Sequence, residues 1–213
     1  MRLPQDLRAA PVTLGIAILT AAAWLIASLG GWQDVAAVAG GFIPARVGGL
    51  EGDVLPVPVL LTPLTATLVH SGFFHLFFNL LMLLLCGRAL EHVLGGRGIL
   101  ILYLVGAYAA AAAQYPVDPG ELAPMVGASG AVSALLGAYA LLFSQNKVKV
   151  ADPRLATMLN ALWLGAAWIG FQLLIGFTFE GTALRIAIAA HIGGFIAGLV
   201  LAKPLLLLKW RGA

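Results

Sequence analysis

Six long stretches of the sequence contain no Asp, Glu, Lys or Arg, and they constrain the fold more than any other feature. Each can hold a helix of about 17–25 residues, the length that crosses a ~30 Å hydrocarbon core. Only 10% of the residues are charged, against roughly 25% in a soluble domain, and the mean hydropathy is +0.99. The sequence therefore predicts an all-α polytopic membrane protein, one domain over 1–213, with six transmembrane helices near 11–30, 64–87, 98–114, 129–145, 155–178 and 185–203.

The basic residues alternate between the two sides of these predicted helices. Ten of the 12 fall on the side of the amino terminus: Arg2, Arg8, Arg88, Arg97, Lys147, Lys149, Arg154, Lys203, Lys209 and Arg211. Lys and Arg are enriched in cytoplasmic loops. We therefore expect both termini to be cytoplasmic, in a prokaryotic cell membrane. Because the basic residues lie in short loops, they are topology signals rather than a surface for nucleic acid.

The first two runs contain further signals. Arg2 and Arg8 precede an apolar run longer than a typical signal-peptide core of about 7–15 residues, which predicts an uncleaved anchor. Prolines at 56, 58 and 63 occupy the start of the second run, so we expect its helix to begin near Leu64. The external loop between them, about 31–63, is long, which predicts that it is either functional or disordered.

A serine between small residues, in Gly127-Ala128-Ser129-Gly130, stands where a proline-containing loop ends and an apolar helix begins. In the first turn of a helix, backbone N–H groups have no partner within the helix. The positive end of the helix dipole there favours a developing oxyanion. The same motif is common in helix packing within membranes, so its interpretation depends on polar residues elsewhere.

Three histidines and an asparagine, His70, His75, His191 and Asn79, fall within other predicted membrane helices, where polar groups are costly and usually functional. His75 and Asn79 are four apart and share a helix face, whereas His70 points elsewhere. His191 begins a stripe of small residues with Gly194 and Gly198. A matching stripe of Ser129, Ser133 and Gly137 lies on the fourth predicted helix. If the two stripes pack together, Ser129 meets His191.

No acidic residue falls within a predicted membrane helix, so the pattern favours a Ser129–His191 dyad over a triad with a buried carboxylate. His191 is the candidate general base. His75, Asn79 and the backbone N–H of Ser129 are candidate hydrogen-bond donors to an oxyanion.

In combination these motifs resemble those of the rhomboid intramembrane serine proteases, over nearly the whole chain. The matching patterns are His70-x4-His75-x3-Asn79, Gly87-x3-Glu91-x3-Gly95, Gly127-Ala128-Ser129-Gly130 and Ala190-His191-x-Gly193-Gly194. The resemblance implies a six-helix bundle with Ser129 as nucleophile and His191 as base, and with oxyanion stabilisation by His75 and Asn79, near Gly127. It implies structural support from His70 beneath the first loop, from Glu91 at a cytoplasmic turn, and from Arg46. It also implies single-span membrane proteins as substrates, with no cofactor and no metal.

Two positions depart from the family pattern. Many members have a Trp-Arg pair in the first loop, where this chain has Ala45-Arg46. Members often carry an aromatic residue four positions after the serine, packed on the base, where this chain has Ser133. The sequence therefore does not predict which side chain packs against the ring of His191. Gln114 is a further candidate neighbour of the site.

Three alternatives remain open. The first is a catalytically inactive rhomboid-like protein that binds membrane clients. The second is a small transporter with histidines along a polar path, which predicts internal repeats and broken helices. The third is a metal-dependent membrane hydrolase using His70, His75 and His191, although the spacing of five between the first two suits one helix face poorly.

Overall fold

A computed structural model of the chain describes residues 10–49, 56–143, 152–179 and 187–210. These residues are predominantly helical. The helices are α1 (Pro11–Gly30), α2 (Gln33–Gly40), α3 (Pro44–Val47), α4 (Thr62–Thr65), α5 (Phe73–Gln114), α6 (Ser129–Phe143), α7 (Pro153–Phe179) and α8 (Ile188–Trp210).

Much of the charge pattern that predicts the orientation lies outside the described residues. This applies to Arg2, Arg8, Glu51, Asp53, Lys147, Lys149, Glu180, Arg185 and Arg211. The predicted anchor signal, Arg2 and Arg8, also lies outside the described residues. So do the last residues of one predicted helix, 144–145, and the first residues of another, 185–186. The orientation therefore stays a prediction.

Among the residues that the structure describes, three helical segments are long and apolar enough to cross a membrane: Pro11–Gly30, Phe73–Val117 and Ile188–Trp210. Ser129–Phe143 is a shorter apolar helix. An all-helical, integral membrane protein follows from these segments, and the count of six crossing helices stays a prediction.

Helix α5 is broken at Gly95, whose φ of 74° lies in the region that favours glycine. A Cβ at Gly95 would lie near Lys209, at the end of α8. The two outer ends of α5, by contrast, both approach the start of α6, through His75 and Ala110. The chain therefore reverses at Gly95, which leaves two antiparallel arms, 73–94 and 96–114.

The predicted start of the second membrane helix near Leu64 is wrong, because the long helix begins at Phe73. The chain from Thr62 to Leu68 forms only short helical turns. Val69 then has an extended backbone, as does Gly72 at the cap of α5. This interruption turns the chain between the prolines and the long helix.

Helices α6 and α8 approach closely because glycines line their contact. A Cβ at Gly194 would collide with the carbonyl oxygen of Gly130, and one at Gly198 with that of Ala134. From the other side, a Cβ at Gly137 would collide with the carbonyl oxygen of Phe195. The predicted packing of two small-residue stripes is confirmed by these contacts. It sets the distance between the helix that begins with Ser129 and the helix that carries His191.

The start of α1 is held by a buried carboxylate from α5. Glu91 accepts hydrogen bonds from the N–H groups of Val12 and Thr13, at 2.9 and 2.8 Å, and from the Thr13 hydroxyl at 2.6 Å. The first N–H groups of a helix have no partner within it, and the helix dipole favours a negative charge at this end. Glu91 therefore joins α1 to the inner bundle.

We predict that Glu91→Gln lowers the thermal stability of the purified protein, because an amide replaces a charged acceptor. A hydrogen bond to a charged group contributes about 1.5–3 kcal/mol, so Glu91→Ala should be more harmful still. Thermal unfolding in detergent measures the effect, with the exposed Asp34→Asn as the matched control. Equal melting temperatures for Glu91→Gln and the wild type would contradict this role.

Candidate active site

The site is centred on a serine and a histidine from two helices. Ser129 is the first residue of α6, and His191 lies in the first turn of α8. The hydroxyl oxygen of Ser129 is 2.8 Å from Nε2 of His191. Both residues are buried, with exposed fractions of 8% and 5%. Two residues 62 positions apart thus form a hydrogen bond at the same end of the packed α6 and α8.

The backbone before Ser129 passes tightly over His75. Gly127 has a φ of 108°, and a Cβ built on it would lie 2.5 Å from Nε2 of His75. The N–H of Gly127 donates to the carbonyl of Ala66 at 2.9 Å. Nδ1 of His75 is 3.0 Å from the hydroxyl of Ser71. A glycine is required here, and the His75 ring faces the loop that leads to Ser129.

His70 supports this same loop. Its Nε2 accepts a hydrogen bond from the N–H of Ala128 at 3.3 Å, and its ring centre lies 4.9 Å from that of His75. We expected His70 beneath the first external loop, whereas the hydrogen bond connects it to the residue before Ser129. The continuous helix expected from residue 64 is absent. Val69 instead has an extended backbone, and His70, which follows it, reaches the loop before Ser129.

Asn79 is buried one turn after His75. Its amide nitrogen donates to the carbonyl of His75 at 2.8 Å. Its Oδ1 has no hydrogen-bond partner in the described part of the chain. Both residues lie in α5 four positions apart, so they share the helix face predicted from their spacing.

The first external loop closes over the loop that precedes Ser129. Phe42 and Met125 form an antiparallel bridge with N–O distances of 3.0 and 2.8 Å. Phe42 itself is buried, with an exposed fraction of 4%. Arg46 belongs to the same loop. Its described side-chain bond is within that loop, from Nη2 to the carbonyl of Val57 at 2.7 Å, and not to the loop before Ser129.

Gln114 contacts the residue next to His191. Its Oε1 accepts a hydrogen bond from the N–H of Ala190 at 3.3 Å. The end of α5 is thereby joined to the first turn of α8, which bears out the prediction that Gln114 lies near the site. Glu91, by contrast, lies next to the break in α5 and bonds to the start of α1 rather than to the residues of the site.

Trp168 is a neighbour of the site that the sequence did not predict. Its indole N–H donates to the hydroxyl of Ser133 at 2.8 Å, and that hydroxyl donates to the carbonyl of Ser129 at 2.7 Å. The available signal was Ser133 itself, because a small residue at a position that is often aromatic leaves space for a large side chain from another helix.

Within the residues that the structure describes, no three His, Cys, Asp or Glu side chains are grouped so as to hold a metal ion. The polar groups near Ser129 are instead arranged for proton transfer and hydrogen bonding. A serine hydroxyl within hydrogen-bond distance of an imidazole nitrogen is one of the arrangements by which proteins activate a nucleophile.

The fold and the site together define a polytopic helical membrane protein with a buried serine–histidine pair. The chain belongs to the Rhomboid family, because the family model for the Rhomboid domain matches residues 59–208.

Curated relatives agree with this assignment. The chain is 35% identical to Rhomboid-related protein 2 of Mus musculus over 133 residues, which cover 62% of this chain and 43% of that protein. It is 29% identical to Rhomboid protease GlpG of Pectobacterium atrosepticum over 197 residues, 92% of this chain and 63% of that protein. It is 31% identical to Rhomboid protease GluP of Bacillus subtilis over 146 residues, 68% of this chain and 25% of that protein. The chain thus spans less than two thirds of the length of these relatives.

Proposed function

We propose that this protein is an intramembrane serine endopeptidase that cleaves transmembrane segments through a Ser129–His191 dyad. The observation that carries the proposal is the 2.8 Å contact between the Ser129 hydroxyl and Nε2 of His191. Family membership supports it, since the matched relatives include proteins named rhomboid proteases. An inactive client-binding protein has no need of this contact.

In the proposed reaction, His191 accepts the Ser129 proton at Nε2 while the Ser129 oxygen attacks the substrate carbonyl. This requires the neutral ring to carry its proton on Nδ1. The leaving amine then takes the proton from Nε2, and an acyl-enzyme remains on Ser129. Water attacks that ester with His191 again as base, which releases the second product.

The developing oxyanion needs hydrogen-bond donors that are already in place. The N–H groups of Gly127 and Ala128 are engaged, by Ala66 and His70 respectively. The backbone donor of the proposal is therefore the N–H of Ser129 at the start of α6. The side-chain donors are His75, whose Nε2 faces Gly127, and Asn79, whose amide has a second N–H beyond the one bonded to His75.

Rhomboid proteases act on transmembrane substrates in the bilayer, and for this chain we propose single-span membrane proteins. The site lies where α6 begins, beside a loop rather than deep along the helices, so a substrate has to present an unwound segment there. No cofactor has a role in this chemistry, because the nucleophile, the base and the donors all come from the chain itself.

Removal of either member of the dyad should abolish cleavage of a model transmembrane substrate. Ser129→Ala removes the nucleophile, and His191→Ala removes the base. His92→Ala is the matched control, because His92 is exposed on α5 outside the site. The assay is appearance of the two product fragments in proteoliposomes. Cleavage by Ser129→Ala at the wild-type rate would exclude this proposal.

Asn79→Ala should lower kcat more than it raises KM, because the bond to the oxyanion is strongest in the transition state. Loss of one such donor costs up to about 2.7–4 kcal/mol, and the effect is smaller if His75 and the backbone compensate. Asn160→Ala, another buried asparagine on α7, is the control. A change confined to KM would count against the oxyanion role.

We further propose that both termini face the cytoplasm of a prokaryotic cell and that the site opens to the opposite side of its inner membrane. The support is the distribution of ten of the 12 basic residues on the side of the amino terminus. A reporter fused after Ala213 should be cytoplasmic, and one inserted near Asp118 should be external. The reverse pattern would overturn the orientation without affecting the dyad.

A further inference from the structure

Ser133 lies one helical turn below the nucleophile candidate and is fully buried, with an exposed fraction of 0%. Its hydroxyl donates to the carbonyl of Ser129 at 2.7 Å and accepts from the indole N–H of Trp168 at 2.8 Å. These two bonds form a continuous path from α7 to the backbone of Ser129. A serine hydroxyl has one proton to donate and lone pairs that accept, so Ser133 acts as donor in one bond and as acceptor in the other.

Trp168 is the middle residue of the inner face of α7. Gly165 precedes it by one turn, and a Cβ there would lie 3.1 Å from the ring of Phe195 on α8. Phe171 follows it by one turn, with its ring centre 5.0 Å from that of Phe78 on α5. The face therefore contacts α8, α6 and α5 in succession, and Trp168 contacts α6 through its indole N–H.

Ser133 also contacts the helix of the base candidate. A Cβ at Gly194 would lie 3.3 Å from Cβ of Ser133, and Gly194 is one turn after His191. Ser133 is therefore at a junction of three helices, below both members of the dyad. A larger residue at 133 would compete for this space with Trp168 and with the backbone of α8.

Outside this path, the polar support described for the dyad acts on the residues that precede it, through His70 on Ala128 and Gln114 on Ala190. In the part of the chain that the structure covers, Nδ1 of His191 has no hydrogen-bond partner. A third group that orients the base, as the carboxylate does in a triad, is thus not seen on that nitrogen. The Ser129–His191 geometry must instead come from the packing of the helices around it.

We infer that Trp168 and Ser133 form a positioning pair that holds Ser129 in register with His191 through the carbonyl of Ser129. The inference rests on the proposed function and adds two residues to it that do not touch the substrate. The Trp168 N–H fixes the rotamer of Ser133, and the Ser133 hydroxyl fixes the first turn of α6. Loss of either bond allows that turn to move relative to α8, so the population with the reactive geometry falls.

The direct test is the rate at which a fluorophosphonate probe labels Ser129 in the purified protein. Trp168→Phe keeps a ring but removes the N–H, and Ser133→Ala removes the hydroxyl. A net contribution typical of one hydrogen bond predicts a decrease of about two- to tenfold in the labelling rate constant for each variant. The double variant should be no slower than the slower single variant, because both changes break the same path.

Two control variants separate this from a general packing defect. Trp163→Phe changes another tryptophan of α7, with an exposed fraction of 72%, and should label at the wild-type rate. Thr157→Val removes a hydroxyl that donates to the carbonyl four residues earlier on α7, away from the dyad, and should also label at the wild-type rate. The rate constant is measured on the folded fraction, since a merely structural role lowers the amount of labelled protein rather than its rate constant.

Substrate kinetics provide a second readout. Positioning of the nucleophile affects the chemical step, so both Trp168→Phe and Ser133→Ala should lower kcat with KM unchanged. Wild-type labelling rates and kcat in Trp168→Phe, or independent and multiplying effects in the double variant, would overturn the positioning pair and leave the dyad intact. If the wild-type protein itself is not labelled at Ser129, it is the proposed function that fails.

Discussion

The close packing of α6 on α8 is the constraint on which the rest of the site depends. In a bilayer the lipid tails are as apolar as the side chains, so helices associate through close contact and hydrogen bonds rather than through the hydrophobic effect. Gly137, Gly194 and Gly198 provide that contact, because a side chain on any of them would strike the backbone of the facing helix. Ser129 and His191 come within 2.8 Å only as a consequence of this approach.

Polar groups reinforce this apolar packing at three separate places. Glu91 holds the start of α1, His70 holds the loop before Ser129, and Trp168 joins α7 to α6. A buried polar group is costly unless it is hydrogen-bonded, so each of these bonds also specifies how its helix is placed. The site is therefore supported by the segment before α5 and by α7, around the fixed pair of α6 and α8, while Glu91 fixes α1 to the bundle away from the site.

The sequence was sufficient to predict the helical class and the approach of the two stripes, because both depend on local composition and spacing. The glycine positions alone indicated which faces of α6 and α8 would meet. The start of α5 at Phe73 was not predictable in this way, since the apolar run from residue 64 continues without a charge, and the break at Val69–Gly72 depends on contacts with the serine loop. Trp168 was missed for a similar reason, because only the folded chain shows that it occupies the space beside Ser133.

The central claim is that Ser129 is a nucleophile activated by His191, and chemical labelling tests it most directly. Incubation of the purified protein with a fluorophosphonate probe, followed by peptide mapping, identifies the modified residue. The account predicts one adduct, on Ser129, which disappears when His191 is replaced by Ala. An adduct on a different serine, or undiminished labelling of Ser129 in the absence of His191, would contradict it.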